Sequence, residues 1–203
     1  ALGCDAAELR FEGGCVRHDA TGRTVSLSEI SAKSQCSCSL APEATAQHSS
    51  PVSPPPYMVG MVEIELDRET GVVEVLDYAA VVDCGIPINP ALARIQVEGG
   101  IVQGIGHTLM EDVTRTPKGA IRESSLFTYR LPTRLDTGRI NVEFEHSYEP
   151  TGPFGAKSIG EIVINTPGPA LTQASYRATG VWHRELPILP EHILLAKPED
   201  QES

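Results

Sequence analysis

One segment divides the chain and limits what each part can fold into. Residues 34–56 are rich in Ser, Pro and Ala, lack apolar periodicity and end in Pro54-Pro55-Pro56. Such a composition buries too little apolar surface to offset the entropy of ordering, and consecutive prolines cannot join the interior of a sheet. We therefore predict an exposed connector at 34–56, which joins a small N-terminal α/β element at 1–33 to a C-terminal subdomain at 57–203.

The N-terminal element shows the pattern of a hairpin followed by a helix. Residues 9–17 alternate in polarity on both sides of Gly13-Gly14, which is typical of a β-hairpin. Ser26 can accept a hydrogen bond at the start of a helix, which we predict over 27–33.

The C-terminal subdomain is predicted to be α+β, with a mixed or antiparallel sheet packed with two longer helices. Alternating apolar residues indicate half-buried strands, and Asn-Pro or Thr-Pro pairs mark the helix starts. The predicted elements are strands at 62–66, 72–82 and 140–146, helices at 90–112 and 167–179, and a short strand with a helical turn in 186–197.

The helix predicted at 90–112 contains four glycines within eight residues, Gly99, Gly100, Gly104 and Gly106. Each costs about 1 kcal/mol of helix stability relative to Ala, so a close approach must offset them. The approaching group could be a neighbouring element or a ligand, and the pattern favours neither. The amides of Gln96 and Gln103 share one side of this helix with Gly100 and His107, where they can donate and accept hydrogen bonds.

An apolar stripe on another side of the same helix is predicted to face the core. Glu98 falls on this stripe, where a carboxylate needs a partner, so we expect a structural anchor bonded to backbone N–H groups rather than a catalytic group. The residues of the predicted stripe are Ile95, Val102, Ile105 and Leu109.

The segment from Gly152 to Glu161 is rich in glycine and predicts a tight loop with many free backbone N–H groups. Such loops bind anions, helped here by Lys157. It is not a phosphate-binding P-loop, because Lys157 follows Ala156 rather than Gly. Glu161 comes before an apolar run, where desolvation can raise the pKa of a carboxylate toward that of a general base. The residues alone favour an exposed loop glutamate with a nearby lysine partner.

Several segments, taken in order, resemble the last portion of the molybdenum-binding large subunit of the xanthine dehydrogenase and aldehyde oxidase family. The resemblance covers about residues 57–197, is weaker over 1–33 and is absent from 34–56. Its motifs are Asn89-Pro90, Val97-Glu98-Gly99-Gly100-Ile101-Val102-Gln103-Gly104-Ile105-Gly106, Ser125-Leu126-Phe127-Thr128-Tyr129-Arg130-Leu131-Pro132-Thr133, Gly155-Ala156-Lys157-Ser158-Ile159-Gly160-Glu161, and Ala178-Thr179-Gly180 before Glu185-Leu186-Pro187.

The resemblance implies a catalytic role for Glu161, which would take a proton from a hydroxide on molybdenum. The oxygen would then attack a carbon of a heterocycle or aldehyde, and hydride would pass to the sulfido ligand. Gln103 would hydrogen bond the molybdopterin cofactor. The other cofactor-binding residues implied are Gly100, Gly155, Ala156, Lys157 and Ser158. One departure is Ile162, where many members of the family have Pro.

The family also implies partners. The catalytic chain of that family is several times longer than this chain. We therefore expect this chain to hold half of a site and to be inactive alone. The rest of the molybdenum subunit would complete the site, and iron–sulfur and FAD centres would lie on other domains or subunits. A non-catalytic assembly or cofactor-loading domain is the alternative, and a hydrolase pairing Glu161 with Glu149 is a weaker one.

Composition and charge argue against two classes of partner, nucleic acids and membranes. The net charge of −11, from 16 basic and 27 acidic residues, argues against nucleic acid as a partner, because clustered cations would be needed to neutralise phosphates. No stretch approaches the roughly 20 apolar residues of a membrane span, so no membrane partner is expected. The first ten residues lack the pattern of a secretory signal. The chain also lacks an initiator Met, so we expect a processed chain or a piece of a longer one.

Five cysteines, an odd number without even spacing, indicate a reducing compartment, and we expect a cytoplasmic protein. The only close pair is Cys36-Ser37-Cys38. A tetrahedral zinc site would need two further ligands there, and His48 is the only candidate nearby. Free thiols are favoured over a metal site, and no metal ligand is predicted among the functional residues.

Overall fold

The computed structural model describes residues 2–36, 43, 45–47 and 52–196. The chain divides into two units, Ala1–Ser49 and Ser50–Ser203. About half of the predicted connector at 34–56 falls outside the described residues, and so do Cys38 and His48, so those expectations stay predictions. No helix among the described residues is long and apolar enough to cross a membrane.

The first unit contains the predicted hairpin and helix. A three-stranded antiparallel sheet precedes the helix, whose start is stabilised by a reciprocal capping box. Ser26 Oγ accepts from the Glu29 N–H at 3.1 Å, and the Glu29 carboxylate accepts from the Ser26 N–H at 2.8 Å. The helix ends at Cys36 rather than near Lys33. The elements are β1 (Leu9–Glu12), β2 (Cys15–His18), β3 (Thr24–Ser26) and α1 (Leu27–Cys36).

The second unit has a mixed three-stranded sheet packed with two longer helices, which confirms the predicted architecture. The central strand pairs antiparallel with the first and parallel with the third. The elements are β4 (Tyr57–Leu66), β5 (Val73–Asp83), α2 (Pro90–Leu109), β6 (Arg139–Phe144), α3 (Ile162–Asn165), α4 (Pro167–Thr179) and α5 (Pro190–Leu195).

Helix starts and stops follow the sequence closely. Asn89 caps α2 by accepting from the Leu92 N–H at 3.1 Å. Gly180 ends α4 in the left-handed conformation, with φ of 79°. Two expectations are wrong in detail: 186–189 forms no strand, and α2 ends at Leu109 rather than near 112. A short helix that was not predicted, α3, occupies the apolar run after Glu161.

The core lies between one face of the sheet and the helices α2, α3 and α4. Its buried members are Val75, Tyr78, Ala80, Val82, Cys84, Val97, Ile101, Ile105, Val142, Val163 and Leu171. The predicted apolar stripe of α2 is therefore confirmed only in its second half. Ile105 is buried and Leu109 packs against the core, whereas Ile95 is 63% exposed and Val102 is only half-buried. The face that meets the core instead carries Gly100 and Gly104, since small residues let α3 and α4 approach the helix axis.

Candidate active site

A surface cleft of about 360 Å³ brings together the two segments that the sequence singled out. Gln96, Gly99, Gly100 and Gln103 line it from α2, and Gly160 and Glu161 line it from the loop before α3. A direct hydrogen bond joins the two sides, from Gln96 Nε2 to the Gly160 carbonyl at 3.2 Å. The backbone next to Glu161 is thereby tied to a helix that is distant in the sequence.

The glycines of α2 have two different surroundings. A Cβ built on Gly100 would lie 2.7 Å from Val163 Cβ, and one built on Gly104 would lie 2.6 Å from Pro167 Cγ. These two glycines therefore serve helix packing. Gly99 differs, because a Cβ there would meet nothing within 4 Å, and it lines the cleft. The sequence left two explanations open for these glycines, a neighbouring element or a ligand. Packing explains the buried glycines, whereas Gly99 leaves an open face on the helix.

Glu161 is an exposed residue at the start of α3. Its φ and ψ are −95° and −28°, and its side chain makes no capping hydrogen bond. Among the residues that the structure describes, its carboxylate has no hydrogen-bond or ion-pair partner. A free carboxylate at the edge of the cleft can accept a proton from a group bound there.

The loop from Gly152 to Glu161 divides into a bonded half and an unbonded half. Gly155 and Ala156 donate within the loop, and the Lys157 N–H donates to the Cys84 carbonyl at 2.7 Å. By contrast, the N–H groups of residues 158–161 donate to none of the described residues. The expectation of many free N–H groups is therefore wrong for the first half and holds for the half beside the cleft.

Lys157 is held in an ion pair, which limits the anion-binding role expected of it. Its ammonium lies 2.5 Å from Asp83 Oδ2, and its side chain is only 8% exposed. Burial alone would raise the pKa of Asp83, but hydrogen bonds from Lys157, Ser147 and the Gly85 N–H outweigh it and hold that pKa below its usual value. The pair fastens the loop to the end of β5.

The remaining predicted cofactor residues lie away from the first cleft. Ala156 and Lys157 line a neighbouring cleft of about 320 Å³, together with Asn89 and Gln96. Gly155 is buried against the Tyr148 ring, and the exposed Ser158 lines neither cleft. Gln96 lines both clefts and is the residue that connects them.

Glu98 is not the buried anchor that was expected. It is half-buried at the other side of α2, and no described residue donates a hydrogen bond to its carboxylate. It lines a third cleft with Arg134 and Gly138. The anchoring role belongs instead to Asp83, the last residue of β5, for which no role was predicted. The sequence signal for this role is a carboxylate directly after an apolar run, because a buried carboxylate needs a cation as its partner.

Comparison with known proteins identifies the family. The model of the molybdopterin cofactor-binding domain matches residues 1–138. A probable hypoxanthine oxidase of Escherichia coli is 36% identical over 142 residues, which are 70% of this chain and 15% of the relative. The gamma subunit of the 6-hydroxypseudooxynicotine dehydrogenase complex of Paenarthrobacter nicotinovorans is 32% identical over 201 residues, 95% of this chain and 25% of the relative.

Comparison with a solved structure supports the same family. The aldehyde oxidoreductase from Desulfovibrio gigas superposes with a TM-score of 0.63 and 31% identity, covering 70% of this chain and 15% of that one. The chain spans between 15% and 25% of the length of these relatives. It belongs to the molybdopterin cofactor-binding domain family and is part of a molybdenum-binding subunit of the xanthine dehydrogenase and aldehyde oxidase type.

Proposed function

We propose that the chain forms one wall of the molybdenum cofactor site of an oxidoreductase that hydroxylates an aldehyde or an aromatic heterocycle, with Glu161 as general base. The observation that carries the proposal is that Gln103 and Glu161 line one cleft, whose two sides are joined by the Gln96–Gly160 hydrogen bond. Gln103 is exposed, and the Glu161 carboxylate has no partner among the described residues. These groups come from parts of the chain that only the fold brings together.

The residues of the cleft fit a flat, polar-edged cofactor. Gly99 has no Cβ and faces open space, so a planar ring can approach the α2 backbone. The Gln103 amide can donate to and accept from a pterin edge. The unbonded N–H groups of Gly160 and Glu161, which line the cleft, can donate to anionic oxygens. Polar donors that converge on one concave surface are the usual composition of a cofactor site.

When bound, molybdopterin would supply a redox metal that takes up two electrons from the carbon that becomes hydroxylated. The chain's own residues act on the proton and on the position of the cofactor. Glu161 holds the proton that must leave the attacking oxygen, and its position depends on Gly160, whose carbonyl Gln96 fixes. Gln103 orients the cofactor from the opposite side of the cleft.

Other parts of the enzyme complete this wall. The cleft is open, whereas a cofactor site needs contacts that converge from several sides. We assign the opposite wall to the rest of the molybdenum subunit, with iron–sulfur and flavin centres on further domains or subunits. The isolated chain is accordingly inactive.

A paired-carboxylate hydrolase has no support in the geometry. The carboxylate of Glu149 accepts hydrogen bonds from both the N–H and the hydroxyl of Thr151, at 2.9 and 2.6 Å. These bonds lower the pKa of Glu149, so it is poorly suited to donate a proton as the second acid.

Glu161→Gln in the complete enzyme tests the proposal, with Glu98→Gln as the matched control on the other side of α2. Gln preserves the side-chain size but cannot take up the proton, so turnover of aldehydes and heterocycles should fall by about 10²–10⁴-fold at unchanged molybdenum content. Glu98→Gln should leave both the rate and the molybdenum content near wild type. A Glu161→Gln enzyme with normal turnover, or a control that fails equally at full metal loading, would refute the assignment.

A further inference from the structure

Three potential metal ligands of different chemistry converge in the first unit. The ligand atoms of Cys4, Glu8 and His18 all lie within 4.8 Å of one another. The register of the hairpin creates this cluster, because His18 pairs with Leu9, the residue after Glu8. The cluster is distinct from the Cys36-Ser37-Cys38 motif that the sequence brings to attention.

The separations already approach those of a metal site. His18 Nε2 and Glu8 Oε2 are 3.2 Å apart. Ligands around a tetrahedral zinc ion, bound at about 2.0–2.3 Å, are separated by about 3.3–3.7 Å. A movement of roughly an ångström by the Cys4 thiol would therefore complete three corners of a tetrahedron.

His18 is oriented as a ligand requires. Its Nδ1 lies 2.6 Å from the Thr21 hydroxyl, and its side chain is only 13% exposed. With the Nδ1 proton donated to Thr21, the lone pair of Nε2 points toward Glu8. Metal-binding histidines are commonly fixed through their second nitrogen in this way.

The first unit also lacks the usual source of stability for a small fold. None of its described residues is buried, and the hydrophobic core contains only residues of the second unit. Small units with weak cores are frequently stabilised by a structural metal. A Cys thiolate and a Glu carboxylate together carry two negative charges, which match a divalent cation beside a neutral imidazole.

We propose that Cys4, Glu8 and His18 bind one zinc-class divalent ion, with water or another exogenous group as the fourth ligand. On binding, the Cys4 thiol releases its proton to solvent and the existing Glu8–His18 contact opens to admit the ion. The ion fixes the segment before β1 to the end of β2 and so stabilises the first unit.

Metal titration of the chelator-treated full chain tests the proposal. Zn²⁺ should bind with a stoichiometry of one in calorimetry, and Co²⁺ should give a thiolate-to-cobalt charge-transfer band. Cys4→Ser should abolish the band. Cys36→Ser is the matched control and should retain it. Thr21→Val should weaken binding by about 10–100-fold, because the second nitrogen of His18 loses its acceptor.

Hydrogen exchange gives a second readout that does not depend on the charge-transfer band. Zn²⁺ should slow exchange of the β1 and β2 amides in the wild-type chain and have no such effect in Glu8→Gln or Cys4→Ser. The proposal is overturned if the wild-type chain binds no Zn²⁺ at micromolar concentrations or gives no charge-transfer band. It is equally overturned if Cys36→Ser removes binding while Cys4→Ser retains it.

Discussion

The contact between α2 and α3 makes Gly100→Ala a quantitative test of how the cleft is built. A Cβ at Gly100 would lie 2.7 Å from Val163 Cβ and 3.1 Å from the Val163 carbonyl carbon. A β-branched side chain has few rotamers with which to withdraw, and a backbone atom can move only with its helix. Overpacking of this kind costs about 1–3 kcal/mol. The better helix propensity of Ala returns about 1 kcal/mol, so the net loss should be between about 0 and 2 kcal/mol.

Gly99→Ala is the matched control, because its Cβ would meet nothing within 4 Å. It gains the same helix propensity without a clash and should stabilise the chain by up to about 1 kcal/mol. The two variants should therefore differ by about 1–3 kcal/mol in the free energy of unfolding, measured by urea titration. If Gly100→Ala were as stable as Gly99→Ala, the close packing of α3 on α2 would be refuted.

Three further predictions concern the ion pairs, the pH dependence and the isolated chain. Asp83→Asn leaves the buried Lys157 ammonium unpaired and should cost up to about 3 kcal/mol in urea unfolding. Asp77→Asn breaks the ion pair of Asp77 with Arg139, whose side chain is 76% exposed, and should cost at most about 1 kcal/mol; equal losses would contradict this account. Burial, with a smaller effect of nearby His192, holds the pKa of His183 below 6.5. The unfolded state therefore takes up the proton first, and stability should fall as the pH drops below 6.5; His183→Gln should flatten this profile, and an identical profile would contradict the assignment. Elemental analysis should find no molybdenum in the isolated chain, and a stoichiometric amount would show that one wall is enough to bind the cofactor.

Local signals in the sequence predicted the elements well. Alternation located β1, β2 and the strands of the second unit, but not β3. The Asn89-Pro90 pair marked the start of α2 and Gly180 the end of α4, because helix capping depends on neighbouring residues only. The mixed sheet could also be predicted, because its strands and helices follow a simple order along the chain. The orientation of α2 could not be predicted, because its glycine-rich side meets the core only through α3 and α4. Their approach depends on residues such as Val163.

The residues of the candidate site were also predicted only in part, because some of its contacts join residues far apart in the chain. Gln103 and Glu161 were named from their motifs, and the fold brings both to one cleft. The ion pair between Asp83 and Lys157 was missed, since it joins residues far apart in the chain and uses a cation that seemed free for a ligand. The bond from Gln96 to Gly160 was missed as well, because a glutamine on a helix surface shows no preference for a particular distant carbonyl.

The central claim is that the α2 cleft forms a wall of the cofactor site, and a cofactor-bound structure of the complete enzyme tests it most directly. We predict that molybdopterin lies over Gly99, with the Gln103 amide within hydrogen-bond reach, about 2.6–3.2 Å, and the Glu161 carboxylate facing the metal. A cofactor seated against another face of the second unit, with Gln103 and Glu161 remote from it, would contradict the account.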